Sequence, residues 1–112
     1  MKRLLLLSFT AITSFGAIAQ DCSEIFISEY VEGSGNNKAI ELYNPTDAVV
    51  SLSSYQMGRF RDGSGTPMLV QLNGTIPAFG TYVVALDKRN PTGTGNEEPI
   101  DAALEAAADT FV

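Results

Sequence analysis

Residues 25–45, IFISEYVEGSGNNKAIELYNP, constrain the chain more than any other stretch, because apolar residues recur with period two on both sides of a loop. Ile25 and Ile27 fall on one face of a strand and Phe26 and Ser28 on the other. Gly33-Ser34-Gly35-Asn36-Asn37 is dense in residues that tolerate positive φ and predicts a hairpin loop. In the return strand, residues 38–44, Ile40 and Leu42 share one face while Ala39, Glu41 and Tyr43 share the other. Pro45 brings no amide hydrogen to a ladder, so Asn44-Pro45-Thr46-Asp47 stops the strand.

The same punctuation continues downstream. Residues 49–52 and 55–60 read as strand pieces broken near Ser53-Ser54, and Arg61-Asp62-Gly63-Ser64-Gly65 reads as a second hairpin loop. Residues 68–72 set Met68, Val70 and Leu72 against Leu69 and Gln71 before Asn73-Gly74 turns the chain. Pro77-Ala78-Phe79-Gly80 is a further turn. It leads into residues 81–87, whose Tyr82, Val83, Val84 and Leu86 are apolar on both faces, the mark of a central strand. After the loop at 90–96, Ile100, Leu104, Ala107 and Phe111 recur at helical spacing. Pro99 suits a first helical turn and Asp101 complements the helix dipole, so one short C-terminal helical turn is expected. Strands every 8–12 residues with turns between them predict an all-β sandwich or barrel.

The first residues are set aside from the fold. Lys2 and Arg3, the apolar run from Leu4 to Ile12, and Ala17-Ile18-Ala19 have the order of a secretory signal peptide of bacterial type. The apolar part is shorter than the roughly 20 residues a bilayer span requires. Cleavage after Ala19 leaves residues 20–112 as one exported domain. Losing Lys2 and Arg3 turns 7 basic against 13 acidic residues into 5 against 13, a net charge of −8. Nucleic-acid binding rests on Lys and Arg neutralising phosphates, and neither Arg59 with Arg61 nor Lys88 with Arg89 makes a groove-sized patch. No nucleic-acid partner is expected. The chain has no histidine, which removes His-based triads, the HExxH zinc motif and the usual imidazole base. Its single cysteine, Cys22, is either an unpaired thiol or bridged to a partner outside the chain.

Several groups carry a chemical reading beside a structural one. Glu29, Glu32 and Glu41, helped by Asn36 or Asn37, are the candidate Ca²⁺ ligands. Cross-strand pairing with Lys38 is the simpler reading, since no D-x-D-x-D-G loop is present. Gly33-x-Gly35 and Gly93-x-Gly95 lack the lysine and helix of a phosphate-binding loop and read as turns. Ser28, Ser53 and Ser54 have only Lys38 near as a base, so no catalytic residue is assigned. Tyr30, Tyr43, Tyr55, Tyr82 and Phe60 are a possible sugar platform but are expected mainly as half-buried core residues. Tyr55 with Arg59 is the pair to follow for a carbohydrate role. Asn73-Gly74-Thr75 matches a glycosylation sequon, which a bacterial leader leaves without weight.

Ser28-Glu29-Tyr30, then Glu32-Gly33-Ser34, then Lys38-x-Ile40-Glu41-Leu42-Tyr43-Asn44 form a long joint pattern that resembles the lamin-tail domain family in its bacterial secreted form. The resemblance is close over residues 25–46 and looser over 50–60, 72–85 and 107–112. It implies an immunoglobulin-like β-sandwich that carries no chemistry itself and often accompanies nucleases, phosphatases or other hydrolases. Family members continue into a further turn and a closing strand, whereas this chain stops at Phe111-Val112. The expectation is an incomplete domain at the front of a longer protein, with the partner of Cys22 in the part beyond. The function expected is adhesion, binding of a protein or glycan, or positioning of attached domains, with no cofactor and no membrane span after leader cleavage. The alternatives are the N-terminal part of an extracellular hydrolase, nuclease-type, and a Ca²⁺-dependent carbohydrate-binding module.

Overall fold

The computed structural model describes residues 23–60 and 63–112. Eight strands run in chain order: β1 (Phe26–Glu32), β2 (Lys38–Tyr43), β3 (Val50–Ser51), β4 (Gln56–Arg59), β5 (Met68–Gln71), β6 (Thr75–Ile76), β7 (Thr81–Ala85) and β8 (Thr110–Phe111). Among the described residues a single α-helix, α1 (Ala102–Ala107), precedes β8, and 3₁₀ turns occupy Leu52–Ser54 and Gly95–Glu97. The main sheet has the order β1-β2-β7-β8, and β3-β6 and β4-β5 form two short ribbons.

Period-two alternation decides what each face buries. In the β2–β7 ladder, Ile40 pairs with Val84 and Leu42 with Tyr82 on one face, while Ala39 pairs with Ala85 and Glu41 with Val83 on the other. The first face meets Leu52, Leu72 and Ile76, contributed by the short ribbons and the turns beside them, in one core cluster. The second face meets Ile100, with Leu104, Ala108 and Phe111 around it, in a smaller cluster. β7 is therefore apolar on both faces because both are covered. Burial of each large side chain in these clusters contributes about 1.5–3 kcal/mol. β1 carries a bulge at Ser28: Ile27 stays opposite Leu42, and Glu29 then falls opposite Glu41.

The C-terminal segment departs from its helical spacing. Asp101 is the N-cap and accepts the Ala103 amide at 2.8 Å, so Pro99 lies ahead of the helix rather than in its first turn. The helix ends at Ala107, and Phe111 belongs to β8, which runs parallel to β7. The Asp109 amide donates to the Val83 carbonyl and the Val112 amide to the Ala85 carbonyl, each at 2.9 Å. These ladder bonds along the edge of β7 override the period-3.6 pattern of four side chains. The guanidinium of Arg89 sits 4.1 Å over the Phe111 ring and is also bound to Asp87.

Asn44 is the one buried polar side chain among the described residues. Its Nδ2 donates to the carbonyls of Ala48, Ile76 and Pro77 at 2.7, 3.2 and 2.9 Å. Its Oδ1 accepts from the Thr46 amide and hydroxyl at 3.0 and 2.8 Å, and its own amide donates to Gly80 at 3.0 Å. One side chain thus ties the end of β2 to two loops and to β6. Asn44→Ala removes five hydrogen bonds of a fully buried side chain, while the Pro77 and Ala48 carbonyls keep the Gly80 amide and the Thr46 hydroxyl, and urea unfolding is expected to show a loss on the order of 1–3 kcal/mol. Asn44→Asp should be no better, because a carboxylate supplies acceptors where the site needs donors. Wild-type stability in either variant would exclude this role.

Candidate functional site

The carboxylates picked out in the sequence lie along the first hairpin but do not converge. Glu29 and Glu41 are ladder partners, so they share one face of the sheet. The bulged Ser28 donates its hydroxyl to the Glu41 carbonyl at 3.2 Å and to Glu41 Oε1 at 2.7 Å. Glu32 pairs with Lys38 and falls on the opposite face, by strand alternation. The Lys38 ammonium lies 2.5 Å from Glu32 Oε1 and donates to the Gly33 carbonyl, and the Tyr30 hydroxyl donates to Glu32 Oε2. Exposed pairs of this kind contribute about 0–1 kcal/mol. Among the described residues, no group of three His, Cys, Asp or Glu side chains comes together as a metal site would require.

Asn36 and Asn37 serve the backbone. Asn36 Nδ2 donates to the Asn96 and Glu98 carbonyls at 3.2 and 2.6 Å, and Asn37 Oδ1 accepts the Asp101 amide at 2.7 Å. They dock the segment ahead of α1 onto the hairpin loop. A shallow cavity of about 190 Å³ lies at this junction, lined by Ser34, Gly35, Asn36, Asn37, Glu98 and Pro99. The glycine pair in the 90–96 loop has a backbone cause: a Cβ on Gly93 would fall 1.8 Å from the Glu97 carbonyl oxygen, and Gly95 has φ 59°.

The aromatic residues are dispersed. Tyr82 packs on the main core and its hydroxyl donates to the Asn73 carbonyl at 2.8 Å. Tyr43 lies on the other face and meets Phe26 edge-on, ring centres 5.6 Å apart. Tyr30 departs from the half-buried expectation at 62% exposed, on β1, an edge strand of the main sheet. Tyr55 precedes β4 and Arg59 ends it, four strand residues or about 13 Å apart, so the two do not form one sugar platform. Cys22, the leader, Arg61 and Asp62 lie outside the described residues.

The turn at Pro77–Gly80 stands where the sequence places it, but the backbone of its third residue was not legible there. Pro77–Gly80 is a hydrogen-bonded turn, closed by the Gly80 amide on the Pro77 carbonyl at 3.0 Å. Its third residue, Phe79, has φ 53°, a value at which turns of this kind carry glycine or asparagine. The Phe79 side chain is nonetheless 61% exposed. Its amide donates to the Thr46 carbonyl at 3.0 Å, which holds the turn against the loop organised by Asn44. Val49, in that neighbouring loop, is also exposed, and Asp47 adds the acidic group of this end. A turn proline followed two residues later by a phenylalanine before glycine was the available signal.

The described titratable groups with a displaced pKa are few and peripheral. The hydrogen bond from the Tyr55 hydroxyl to Glu24 Oε2, 2.8 Å long, raises the Tyr55 pKa, with desolvation and the Glu24 charge adding to it. Bonding to Arg89 lowers the Asp87 pKa. Tyr55 keeps its proton longer in the folded state, so the associated stability is complete below the unfolded pKa and is lost as pH rises through the folded one. An alkaline titration followed by tyrosinate absorbance is expected to show a late-titrating phenol, and Glu24→Ala should move it toward the ordinary 10.0. Identical curves for the two proteins would exclude the Glu24 bond as its cause.

Against known proteins, the family described as Lamin Tail Domain matches residues 19–112. No curated protein and no solved structure matches the chain. The match takes in every strand of the sandwich and the short C-terminal helix. With an immunoglobulin-like β-sandwich built on the hairpin pattern of residues 25–46, the chain belongs to the lamin tail domain family.

Proposed function

We propose that this chain is an exported, non-catalytic binding module that positions whatever is attached to it by docking the Phe79 end of the sandwich onto a partner. Export rests on the order of Lys2-Arg3, the apolar run and Ala17-Ile18-Ala19. The observation that carries the binding reading is Phe79 itself. A left-handed backbone costs a bulky residue about 1–2 kcal/mol, and at 61% exposure the ring recovers little of that by burial within the fold. A contact outside the chain supplies the missing compensation. Val49 and Asp47, exposed in the loop whose Thr46 carbonyl accepts the Phe79 amide, suit an apolar pocket with a cationic rim.

Two measurements test this reading. Phe79→Gly removes the left-handed penalty but adds unfolded-state freedom, so urea unfolding should show unchanged stability or a gain of up to about 1 kcal/mol. A clear loss of stability would mean that Phe79 works inside the fold. In the source cells, a benzoylphenylalanine photo-crosslinker at position 79 should give a discrete adduct that the same group at Glu105, on α1, does not. Equal labelling from both positions, or none from either, would overturn the proposed surface.

A further inference from the structure

Asn73-Gly74, in the turn between β5 and β6, differs from every other asparagine in one chemical respect. An asparagine converts to a cyclic imide when the backbone nitrogen of the next residue attacks its side-chain Cγ, and that requires the following N–H to be present and unengaged. The chain has six asparagines: Asn36, Asn37, Asn44, Asn73, Asn90 and Asn96. Asn44 and Asn90 precede Pro45 and Pro91, which have no N–H. The amide after Asn36 donates to the Ser34 carbonyl at 3.2 Å, the amide after Asn37 to the Asn36 carbonyl at 2.7 Å, and the amide after Asn96 to the Thr94 carbonyl at 3.1 Å. The Gly74 amide makes no hydrogen bond to the described residues.

Exposure and local freedom also favour this turn. Asn73 and Gly74 are exposed, and the Asn73 amide nitrogen has a long bond of 3.4 Å to the Gln71 carbonyl. Gly74 presents no side chain to hinder approach, and its φ of 93° keeps it in the region where glycine is at home. By contrast, Asn36 and Asn44 hold their amide nitrogens against two and three carbonyls respectively.

We propose that Asn73 is a site of spontaneous, site-selective deamidation. Solvent base removes the Gly74 amide proton, the nitrogen bonds to Asn73 Cγ, and the Cγ–Nδ2 bond breaks with release of ammonia. Water then opens the imide at either carbonyl, giving aspartate or isoaspartate and one new carboxyl group. The isoaspartate branch places an extra methylene in the main chain. That change falls between two bonds the sandwich uses: the Tyr82 hydroxyl on the Asn73 carbonyl at 2.8 Å and the Leu52 amide on the Gly74 carbonyl at 2.9 Å. The Tyr82 ring lies within 3.6 Å of where a Gly74 Cβ would stand, so the turn has little room to shift on that side.

The test is ageing of the purified full-length chain in warm, mildly alkaline buffer. Isoaspartate is assayed with protein isoaspartyl methyltransferase and a labelled methyl donor, and the site is mapped by peptide mass spectrometry. The expected result is methyl acceptance and a mass rise of about 1 Da confined to the Asn73 peptide, both lost in Asn73→Gln. The isoaspartate fraction should melt below fresh protein, while Asn73→Asp, which adds the charge without the methylene, should melt close to it. Absence of the modification, its appearance mainly at Asn36, Asn37 or Asn96, or its persistence in Asn73→Gln would overturn the proposal.

Discussion

The hydrogen bonds of Asn44 are the constraint on which this sandwich depends. The main sheet and the β3-β6 ribbon meet at an end where the chain turns twice, and Asn44 reaches a carbonyl in each turn and the buried one of Ile76. A buried carbonyl without a donor costs about 1–3 kcal/mol, comparable with the gain from burying one leucine. A fully buried side chain whose two N–H groups are shared among three carbonyls and whose oxygen accepts twice therefore ranks with Leu52 or Ile76 in holding the two layers together. The same residue fixes the loop after β2 through Thr46, and Thr46 in turn accepts the Phe79 amide. The geometry of the Phe79 turn is thus set from inside the core.

The opposite face of the sheet is held by a second chain of dependence. A six-residue helix is far below the length of about 12–15 residues at which helices persist alone, so α1 exists because other parts of the fold place it. Asn37 binds the amide of its N-cap residue, Asp101, and Ile100 and Leu104 fill the face of β7. The return of the chain as β8 then closes the edge of that strand. Asn36 and Asn37, which a metal reading treats as oxygen donors, join the first hairpin to this C-terminal unit.

Local alternation made most of this architecture readable. The first hairpin, its loop, the faces of β2 and the two-sided burial of β7 all follow from period two, because each residue's face is fixed by its neighbours in sequence. What was not readable depends on partners distant in the chain. Asn44 looks like a residue that simply precedes a strand-stopping proline, and only the meeting of β2 with Ile76 and Pro77, more than thirty positions later, reveals its role. Phe111 fits a helical spacing until β7 offers it a ladder. Glu29, Glu32 and Glu41 look like a cluster in one dimension. The bulge at Ser28 and the pleat then send them to different faces.

Exposed apolar side chains alone are weak evidence of binding, since more than half of an ordinary protein surface is apolar. Phe26, Ile27 and Tyr30 are uncovered because β1 is an edge strand, and no energetic anomaly accompanies them. Leu69 and Phe60 flank a hairpin loop, where exposure is equally ordinary. Phe79 is of another kind. Its backbone sits in a conformation that disfavours any side chain beyond Cα, glycine at that position relieves the penalty, and the ring contributes little to the core in exchange. Stability within the chain does not account for an aromatic residue there, and this is the ground on which contact with a partner is proposed. The distinction turns on strain combined with exposure, and it is why the proposed docking surface is one end of the sandwich rather than its acidic face.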